Sequence, residues 1–269
     1  MSGAPCSTPA NKTPNQTRLQ QKGTVMSDFL VEQQGAVLRV TINHPERGNG
    51  MTDAMAAELA GIIDGAAARA SVLVLTGAGE DFCIGRHRDP GAAPPAHTDA
   101  LGRRDVSDTI FNCYGAFRRC AIPIIGVVRG RALGFGCAIA ALCDMTIAGE
   151  RAQFQVPEYA HNIMPTMVMS ALIDRVHRKA LTYLVYSTKT VSAERALSYG
   201  LASEVVPEAE LDATVETICQ MILKAPRIAT EAVKDYMRSA PDMAIAGAVD
   251  YGRNLHATIN ASIEARMKK

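Results

Sequence analysis

The segment from residue 122 to residue 165 constrains the fold and chemistry of this chain more than any other. It begins with an apolar strand, Ile122 to Val128, and continues through a turn with glycines at 130, 134 and 136. An alanine-rich helix starts at Cys137, and a second apolar strand covers Met145 to Ala148. A strand that runs through a glycine turn into a helix directs free backbone N–H groups and the positive end of the helix dipole toward one point. The sequence therefore predicts a site for an anion, or for an oxygen that becomes anionic during a reaction.

One acidic residue downstream completes this predicted site. Glu158 follows Pro157 and opens a new element. An anion-stabilising turn with one carboxylate nearby is the minimum equipment for moving a proton next to a carbonyl group.

The composition limits the classes of partner. The 269 residues are 48% hydrophobic and 20% charged, which is enough to bury one large core or two modest ones. A formal charge of +1 without a basic run disfavours nucleic acid as the partner. No apolar run reaches the roughly 18 residues that span a bilayer, so no membrane partner is expected.

The seven cysteines indicate a reducing compartment, and we expect a cytoplasmic protein. Their number is odd, their spacing is irregular and no C-x-x-C pair occurs, so neither a disulfide framework nor a metal site is predicted. Residues 1–26 are polar, carry three prolines and lack acids, which predicts a disordered tail.

Strands alternate with helices from residue 27 onward, which predicts an α/β core over 27–207 and a helical C-terminal region over 208–269. The predicted strands are Phe29–Gln33, Ala36–Ile42, Ser71–Leu75, Ile122–Val128, Met145–Ala148 and Ala202–Val206. The main predicted helices are 53–69, 100–119, 137–142 and, after residue 165, 167–176, 178–186, 192–199, 208–223, 227–238 and 243–267.

Eight short motifs occur in one order over nearly the whole chain after Met26. They are N-x-P-E-R-x-N (43–49), S-V-L-V-L-T-G (71–77), D-F-C-I-G (81–85), G-x-A-L-G-x-G-C (130–137), C-D-M-x-I-A (143–148), A-x-F-x-x-P-E (152–158), S-A-x-x-A-L-x-Y-G-L (192–201) and V-V-P (205–207). Each motif is weak alone, but eight in register are specific. Together they resemble the crotonase, or enoyl-CoA hydratase/isomerase, superfamily.

This resemblance implies an α/β fold with a spiral core of repeated ββα turns and a helical C-terminal trimerisation region, assembled as a homo-trimer or hexamer. It also implies an acyl thioester of coenzyme A as substrate, so that coenzyme A is part of the substrate and no separate cofactor is expected. The two backbone N–H groups that hold the thioester oxygen correspond to those of Arg86 and Phe135. Such a donor is typically worth about 3–4 kcal/mol. The residues expected to bind the substrate are Arg47, Asn49, Gly85, Arg88, Gly134, Gly136 and Ala138.

The departures from the family pattern favour one of its reactions. The family's hydratases carry a glutamate directly after the G-x-G-C turn and another after the later proline, but here the first position is Ala138 and only Glu158 remains. Addition of water is best served by two carboxylates, whereas migration of a double bond needs a single base. The pattern therefore favours isomerisation of a 3-enoyl-CoA to a 2-enoyl-CoA. The bulky residues Thr166–Met169 predict a narrower space near Glu158 that excludes water.

Several of these residues allow two interpretations, one functional and one purely structural. Glu158 is either a catalytic base or an acidic residue that interacts favourably with a helix dipole, and the register of the motifs favours the catalytic base. His87 is a second acid–base group or a loop residue near the CoA phosphates. Arg86 and Arg88 pair with those phosphates or are solvated charges. Cys137 lies at a helix N-terminus, but packing in the core is favoured over a nucleophilic role.

Three hypotheses follow. The preferred one is isomerisation through an enolate, with Glu158 moving the proton. The second is another reaction of the family, namely hydration, thioester hydrolysis or decarboxylation, with His87 in place of the missing glutamate. The third is a non-catalytic relative that binds CoA or RNA, and the lack of a basic stripe disfavours RNA.

Overall fold

A six-stranded sheet lies at the centre of the computed structural model, which describes residues 1, 3, 27–87 and 99–267. The strands are β1 (Phe29–Gln34), β2 (Val37–Ile42), β3 (Val72–Gly77), β4 (Ile124–Val128), β5 (Arg131–Leu133), β6 (Met145–Gly149), β7 (Gln153–Gln155), β8 (Val191–Ser192) and β9 (Glu204–Val206). The helices are α1 (Asp53–Ala66), α2 (Ala100–Arg119), α3 (Phe135–Leu142), α4 (Thr166–Leu172), α5 (Arg178–Ser187), α6 (Ala193–Tyr199), α7 (Leu211–Lys224), α8 (Arg227–Ser239) and α9 (Ile245–Met267).

The large sheet has the order β1-β2-β3-β4-β6-β9. β1 and β2 form an antiparallel hairpin whose turn contains Gly35 at φ +58°, and all other neighbours are parallel. Positive φ is readily available to glycine, which explains the turn. The six predicted strands are confirmed, with ends that differ by one or two residues. The predicted tail lies, apart from Met1 and Gly3, outside the described residues.

Both faces of the large sheet are covered, which explains why its strands are continuously apolar. On β3, Leu73 and Leu75 belong to the main core with α1, α2 and α3, whereas the alternate residues Val72 and Val74 pack in a second cluster with α7. Successive side chains of a strand point to opposite faces. An unbroken run of aliphatic residues is therefore what a doubly covered parallel strand requires.

A second, three-stranded sheet was not predicted. It has the order β5-β7-β8 and consists of strands of two or three residues. The sequence analysis placed a glycine turn where β5 lies and only one strand after residue 165. Two or three residues are too few to show a period of two, and it is the preceding long strands that bring β5 and β7 together, whereas β8 follows α5. β4 leads into β5, and β6 leads into β7, so each of these two turns of the chain contributes one strand to each sheet.

The helix that follows the first hairpin begins where its capping residue predicts. The Thr52 hydroxyl accepts a hydrogen bond from the Met55 N–H at 3.2 Å. The apolar residues Met55, Leu59 and Ile63 recur at helical spacing and are buried. α1 packs against α2, and together they cover one face of the sheet.

A buried lysine ties the C-terminal helices to the sheet. Lys234 on α8 is 8% exposed, and its Nζ lies 2.7 Å from the Ile122 carbonyl and 2.8 Å from Asp144 Oδ2. The same carboxylate oxygen accepts the Ile124 N–H at 2.7 Å. A buried charge requires such partners. This contact fixes α8 against the start of β4 and β6.

Among the described residues, no helix is long and apolar enough to cross a membrane. The six described cysteines are buried and carry free thiols.

Replacing Lys234 by Met is expected to lower the free energy of unfolding by about 2–3 kcal/mol, because Asp144 and the Ile122 carbonyl lose their shared partner. Chemical denaturation followed by circular dichroism measures this change. The exposed Lys179 on α5 provides a matched control, and its replacement by Met should change stability by less than about 0.5 kcal/mol. Equal effects of the two substitutions would contradict a structural role for the Lys234 contact.

Candidate active site

The glycine turn between β5 and α3 presents a free amide. Gly134 has φ +50° and ψ −113°, and its N–H donates to the Gln155 carbonyl at 2.9 Å. Phe135 is the first residue of α3, so its N–H has no acceptor within the helix. The predicted helix start at Cys137 was two residues late. The Phe135 amide therefore lies at the positive end of the α3 dipole.

The second amide predicted for the site belongs to Arg86. The Gly85 carbonyl accepts the Met51 N–H at 2.9 Å, and the His87 N–H donates to the Met51 carbonyl at 2.7 Å. These bonds form a short parallel bridge between residues 51 and 86. In such a bridge the N–H of the middle residue points away from the partner strand. The Arg86 N–H has no backbone acceptor among the described residues.

The two loops that carry these amides pack against each other through their main chains. The Leu133 N–H donates to the Cys83 carbonyl at 2.9 Å. A Cβ at Gly136 would lie 2.0 Å from the Cys83 carbonyl oxygen, and one at Gly85, whose φ is +115°, would lie 3.3 Å from the Leu133 carbonyl oxygen. Only glycine permits this approach. The structure thus brings the Gly85–Arg86 and Gly134–Phe135 segments together.

The Glu158 carboxylate lies against the same turn. Glu158 opens a short 3₁₀ helix, Glu158–His161, and its Oε1 lies 2.7 Å from where a Cβ of residue 134 would stand. Its Oε2 is buried and has no hydrogen-bond partner among the described residues. Burial raises the pKa of Glu158, although a backbone hydrogen bond and His161 oppose this effect. A carboxylate with an unpartnered oxygen and a raised pKa has the properties of a general base.

The Phe135 side chain is buried against an aromatic ring. Its ring stacks on Tyr114 of α2, with centroids 5.5 Å apart and planes inclined by 31°. Tyr114 is 4% exposed. Burial, with charge at Cys113 and Glu158, raises the pKa of Tyr114 well above its usual value. The phenol is therefore neutral at physiological pH.

The side chains after Gly85 have partners outside the turn. Arg86 forms an ion pair with Asp53 at 2.6 Å and approaches Met167 Sδ at 3.9 Å. His87 is exposed, and its Cβ lies 3.2 Å from where a Cβ of Gly50 would stand. The guanidinium of Arg86 is thus paired with Asp53, whereas its backbone amide belongs to the turn. Arg88 lies outside the described residues.

Asn49 and Arg47, which the sequence analysis assigned to substrate binding, have clear structural partners. Asn49 is fully buried, accepts the His44 N–H through Oδ1 and donates through Nδ2 to the carbonyls of Ala78 and Asp81. These bonds use the whole side-chain amide, so Asn49 connects the loop that contains His44 to the loop that contains Ala78 and Asp81. Arg47 is half-buried and contacts His44 Nδ1 at 2.9 Å.

The positions after the turn agree with a packed helix. Cys137 is fully buried, and burial with the charge at Glu158 raises the pKa of its thiol to about 12. A thiol in that environment is not a nucleophile, as the sequence analysis favoured. Ala138 is also fully buried, so no acid stands beside the turn at that position. Within the described ranges, no three His, Cys, Asp or Glu side chains are placed to hold a metal ion.

Sequence analysis missed Tyr114 and Asp53. Tyr114 lies inside a regular helix whose periodicity marks it only as a core residue, and Asp53 appears only as a residue of a helix N-terminus. Their nearness to Phe135 and Arg86 depends on how α1, α2 and α3 pack, which no local motif encodes.

Comparisons with known proteins agree with this geometry. A protein family described as enoyl-CoA hydratase/isomerase matches residues 32–268. The 2,3-dehydroadipyl-CoA hydratase of Escherichia coli (strain K12) is 31% identical over 251 residues, which are 90% of this chain and 93% of that protein. The short-chain-enoyl-CoA hydratase of Clostridium acetobutylicum is 29% identical over 236 residues, covering 82% of this chain and 86% of that protein.

Solved structures show the same likeness. A putative enoyl-CoA hydratase from Thermobifida fusca YX, in complex with CoA, has a TM-score of 0.78 and 28% identity, covering 88% of this chain and 95% of that chain. An enoyl-CoA hydratase from Mycobacterium smegmatis has a TM-score of 0.80 and 25% identity, covering 87% and 91%. The chain belongs to the enoyl-CoA hydratase/isomerase family. Its fold is the crotonase fold that the sequence predicted.

Replacing Gly136 by Ala should destabilise the protein by about 3 kcal/mol, because the new methyl group meets a backbone carbonyl that has no room to move. Thermal unfolding measures this loss. Gly61, in the middle of α1, serves as the control, because a Cβ added there would have no neighbour within 4 Å. Its replacement by Ala should stabilise the protein by about 0.5–1 kcal/mol. A tolerated alanine at 136 would show that the two loops are not held as described.

Proposed function

We propose that this protein acts on an acyl thioester of coenzyme A and moves its double bond from the 3 to the 2 position. The observation that carries the proposal is the Glu158 carboxylate against the Gly134–Phe135 turn, with one oxygen buried and unpartnered among the described residues. Glu158 removes a proton from the α-carbon of a 3-enoyl-CoA and returns it to the γ-carbon. One base suffices because the two positions belong to one conjugated enolate.

The amides of Arg86 and Phe135 stabilise that enolate. Removal of the α-proton places negative charge on the thioester oxygen, and two N–H groups fixed by main-chain bonds are the donors for it. The neighbouring loops hold these donors before the substrate arrives, so no reorganisation is needed when charge develops. The dipole of α3 adds to the effect at the Phe135 amide.

Hydration of a 2-enoyl-CoA is the second candidate. Relatives from E. coli and C. acetobutylicum carry the name hydratase. Against it stands Ala138, which leaves Glu158 as the single carboxylate of the two that the family's hydratases carry at the turn. His87, the sequence-based substitute for the missing acid, is exposed beside Gly50 rather than paired with Glu158.

We further propose that the chain forms a homo-trimer or hexamer and works in the cytoplasm. Val233 and Met237 lie four residues apart on α8 and are 65% and 67% exposed, and Ile245 at the start of α9 is 82% exposed. Apolar side chains spaced by one helical turn form a stripe that favours burial against another subunit. The buried free thiols agree with a reducing compartment.

Replacing Glu158 by Gln should lower the turnover of a 3-enoyl-CoA by at least about 1000-fold, since the amide cannot accept the α-proton. The rate is followed through the absorbance of the conjugated 2-enoyl product. The variant should melt no lower than the wild type, because it removes a charge whose burial is unfavourable and whose Oε2 has no hydrogen-bond partner among the described residues. Turnover that survives this change would refute the assignment of the base.

The pH dependence gives an independent check. Glu158 works as a base only when deprotonated, and burial raises its pKa above the ordinary glutamate value. The acidic limb of kcat/KM should therefore fall at a higher pH than an exposed glutamate would give. A raised folded-state pKa also means that the charged form opposes folding above that pKa and that this cost disappears as the pH falls through it. The melting advantage of Glu158→Gln should accordingly be present at neutral pH and vanish in acid.

A further inference from the structure

The guanidinium of Arg86 has more hydrogen-bond donors than its partners use. Its Nη2 donates to Asp53 Oδ1 at 2.6 Å, and among the described residues its Nη1 meets only the Met167 sulfur, a weak acceptor, at 3.9 Å. The side chains of Arg86 and Asp53 are 40% and 47% exposed. An exposed ion pair of this kind contributes little to stability, so its members are open to a further charged partner.

The pairing of Arg119 shows what Arg86 leaves unused. Arg119 holds both carboxylate oxygens of Asp64, each at 2.7 Å, through its Nε and Nη2. The planar guanidinium presents its N–H groups as a fork that fits a carboxylate through two parallel bonds. Arg86 binds one oxygen of Asp53 through one nitrogen. A second carboxylate can therefore bind the remaining N–H groups of Arg86.

The main chain of Arg86 fixes where its guanidinium stands. The amide of Arg86 is one of the two donors proposed for the thioester oxygen, so the guanidinium lies one arginine side chain away from that amide. Its partners border the site, since Asp53 is the first residue of α1 and Met167 belongs to α4, which packs on α3. Burial is the main cause of the raised pKa of Tyr114, and the charges of Glu158 and Arg86 act on that pKa with opposite signs. Both charges thus lie near the same ring.

This separation between guanidinium and amide selects the kind of anion. Coenzyme A carries its phosphates at the far end of the pantetheine arm, many bonds from the thioester carbonyl. The guanidinium of Arg86, in contrast, is tied to the amide that meets the carbonyl oxygen. A negative group on the acyl chain, a few carbon atoms from the carbonyl, matches that distance. A carboxylate is the acyl substituent that fits the fork of a guanidinium.

We propose that this protein acts on acyl-CoA thioesters whose acyl chain ends in a carboxylate, and that the Arg86 guanidinium binds that carboxylate. The hydrogen bond from Arg86 to Asp53 orients the guanidinium, and the substrate carboxylate takes the N–H groups that Asp53 leaves free. Arg86 then acts at both ends of the acyl group, through its amide at the thioester and through its side chain at the terminus. This inference rests on the proposed function through that amide, and it names the substrate class.

The test measures binding by calorimetry with saturated thioesters, which have no double bond to react. The probes are the CoA monothioesters of the four-, six- and eight-carbon dicarboxylic acids, each compared with the methyl-terminated thioester of the same length. In the wild type, at least one dicarboxylic thioester should bind at least about tenfold more tightly than its methyl-terminated counterpart, as a charge-assisted contact to a guanidinium predicts.

Arg86→Met keeps the backbone N–H and removes the guanidinium, so this preference should fall to about twofold or less. Arg129→Met is the matched control and should keep the preference. Arg129 holds Asp212 through a single Nη2 bond of 2.6 Å, as Arg86 holds Asp53, but at the contact between β4 and α7.

Asp53→Asn changes the same contact in the opposite direction. The asparagine oxygen still accepts from Arg86, but a negative charge beside the incoming carboxylate is removed. The preference should therefore rise at least about threefold. This variant decides the question if thermal melting shows that Arg86→Met does not fold, and an unchanged preference in Asp53→Asn would then overturn the proposal.

A wild type without preference at any of the three lengths would also overturn it, and so would a preference that survives Arg86→Met. An equal loss of both kinds of thioester in Arg86→Met would assign the guanidinium to the CoA portion that they share, which contradicts the proposal as well. Failure of the proposed isomerisation gives a different result. In that case a 3-enoyl-CoA is not converted, while the preference for the dicarboxylic thioester and its dependence on Arg86 persist.

Discussion

The close approach of the α3 N-terminus to the Cys83 carbonyl is the contact on which the rest of this site depends. A side chain at residue 136 would collide with a main-chain oxygen, and a main chain that is bonded on both sides cannot move aside as a flexible side chain does. The Leu133–Cys83 and Met51–Gly85 hydrogen bonds then hold the two amide-bearing segments in one arrangement. Because backbone groups alone fix the donors, the side chains around them can differ without moving the amides.

The sequence predicts those parts of the fold whose signal is local. β3 and β4 are found because a parallel strand covered on both faces needs an unbroken aliphatic run. α1 is found from a cap at Thr52 or Asp53, of which the structure shows Thr52, and from the spacing of Met55, Leu59 and Ile63. β5, β7 and β8 are not predicted because two or three residues are too few to show the alternation of buried and exposed side chains that marks a strand. The parallel pairing of β5 with β7 is a consequence of the spiral, in which β4 leads into β5 and β6 leads into β7, whereas β8 follows α5 and pairs antiparallel with β7.

The residues of the candidate site also fall into two groups, those that a local sequence motif identifies and those that it does not. The eight motifs identify Glu158, Gly134 and Gly136. A turn that requires glycine is recognisable in the sequence, because the glycine itself is part of the motif. Tyr114 leaves no such mark, since a buried tyrosine in a helix looks like any core aromatic residue until its neighbours are known. The ion pair of Arg86 with Asp53 is equally non-local, since it joins residues 33 positions apart. Side-chain chemistry that depends on the packing of helices is accessible only from the structure.

The amides do not by themselves decide which reaction this fold performs. Loss of a proton from a 3-enoyl thioester and attack of water on a 2-enoyl thioester both place negative charge on the thioester oxygen, so one pair of N–H donors suits either transition state. The choice is made by the polar groups near C2, C3 and C4. A single carboxylate is sufficient for the first reaction, whereas the second also requires a held water, and a water needs more than one partner to be held. Ala138 supplies no acid at the second position, so the arrangement around Glu158 meets the requirement of the first reaction and lacks the second carboxylate that best serves the other.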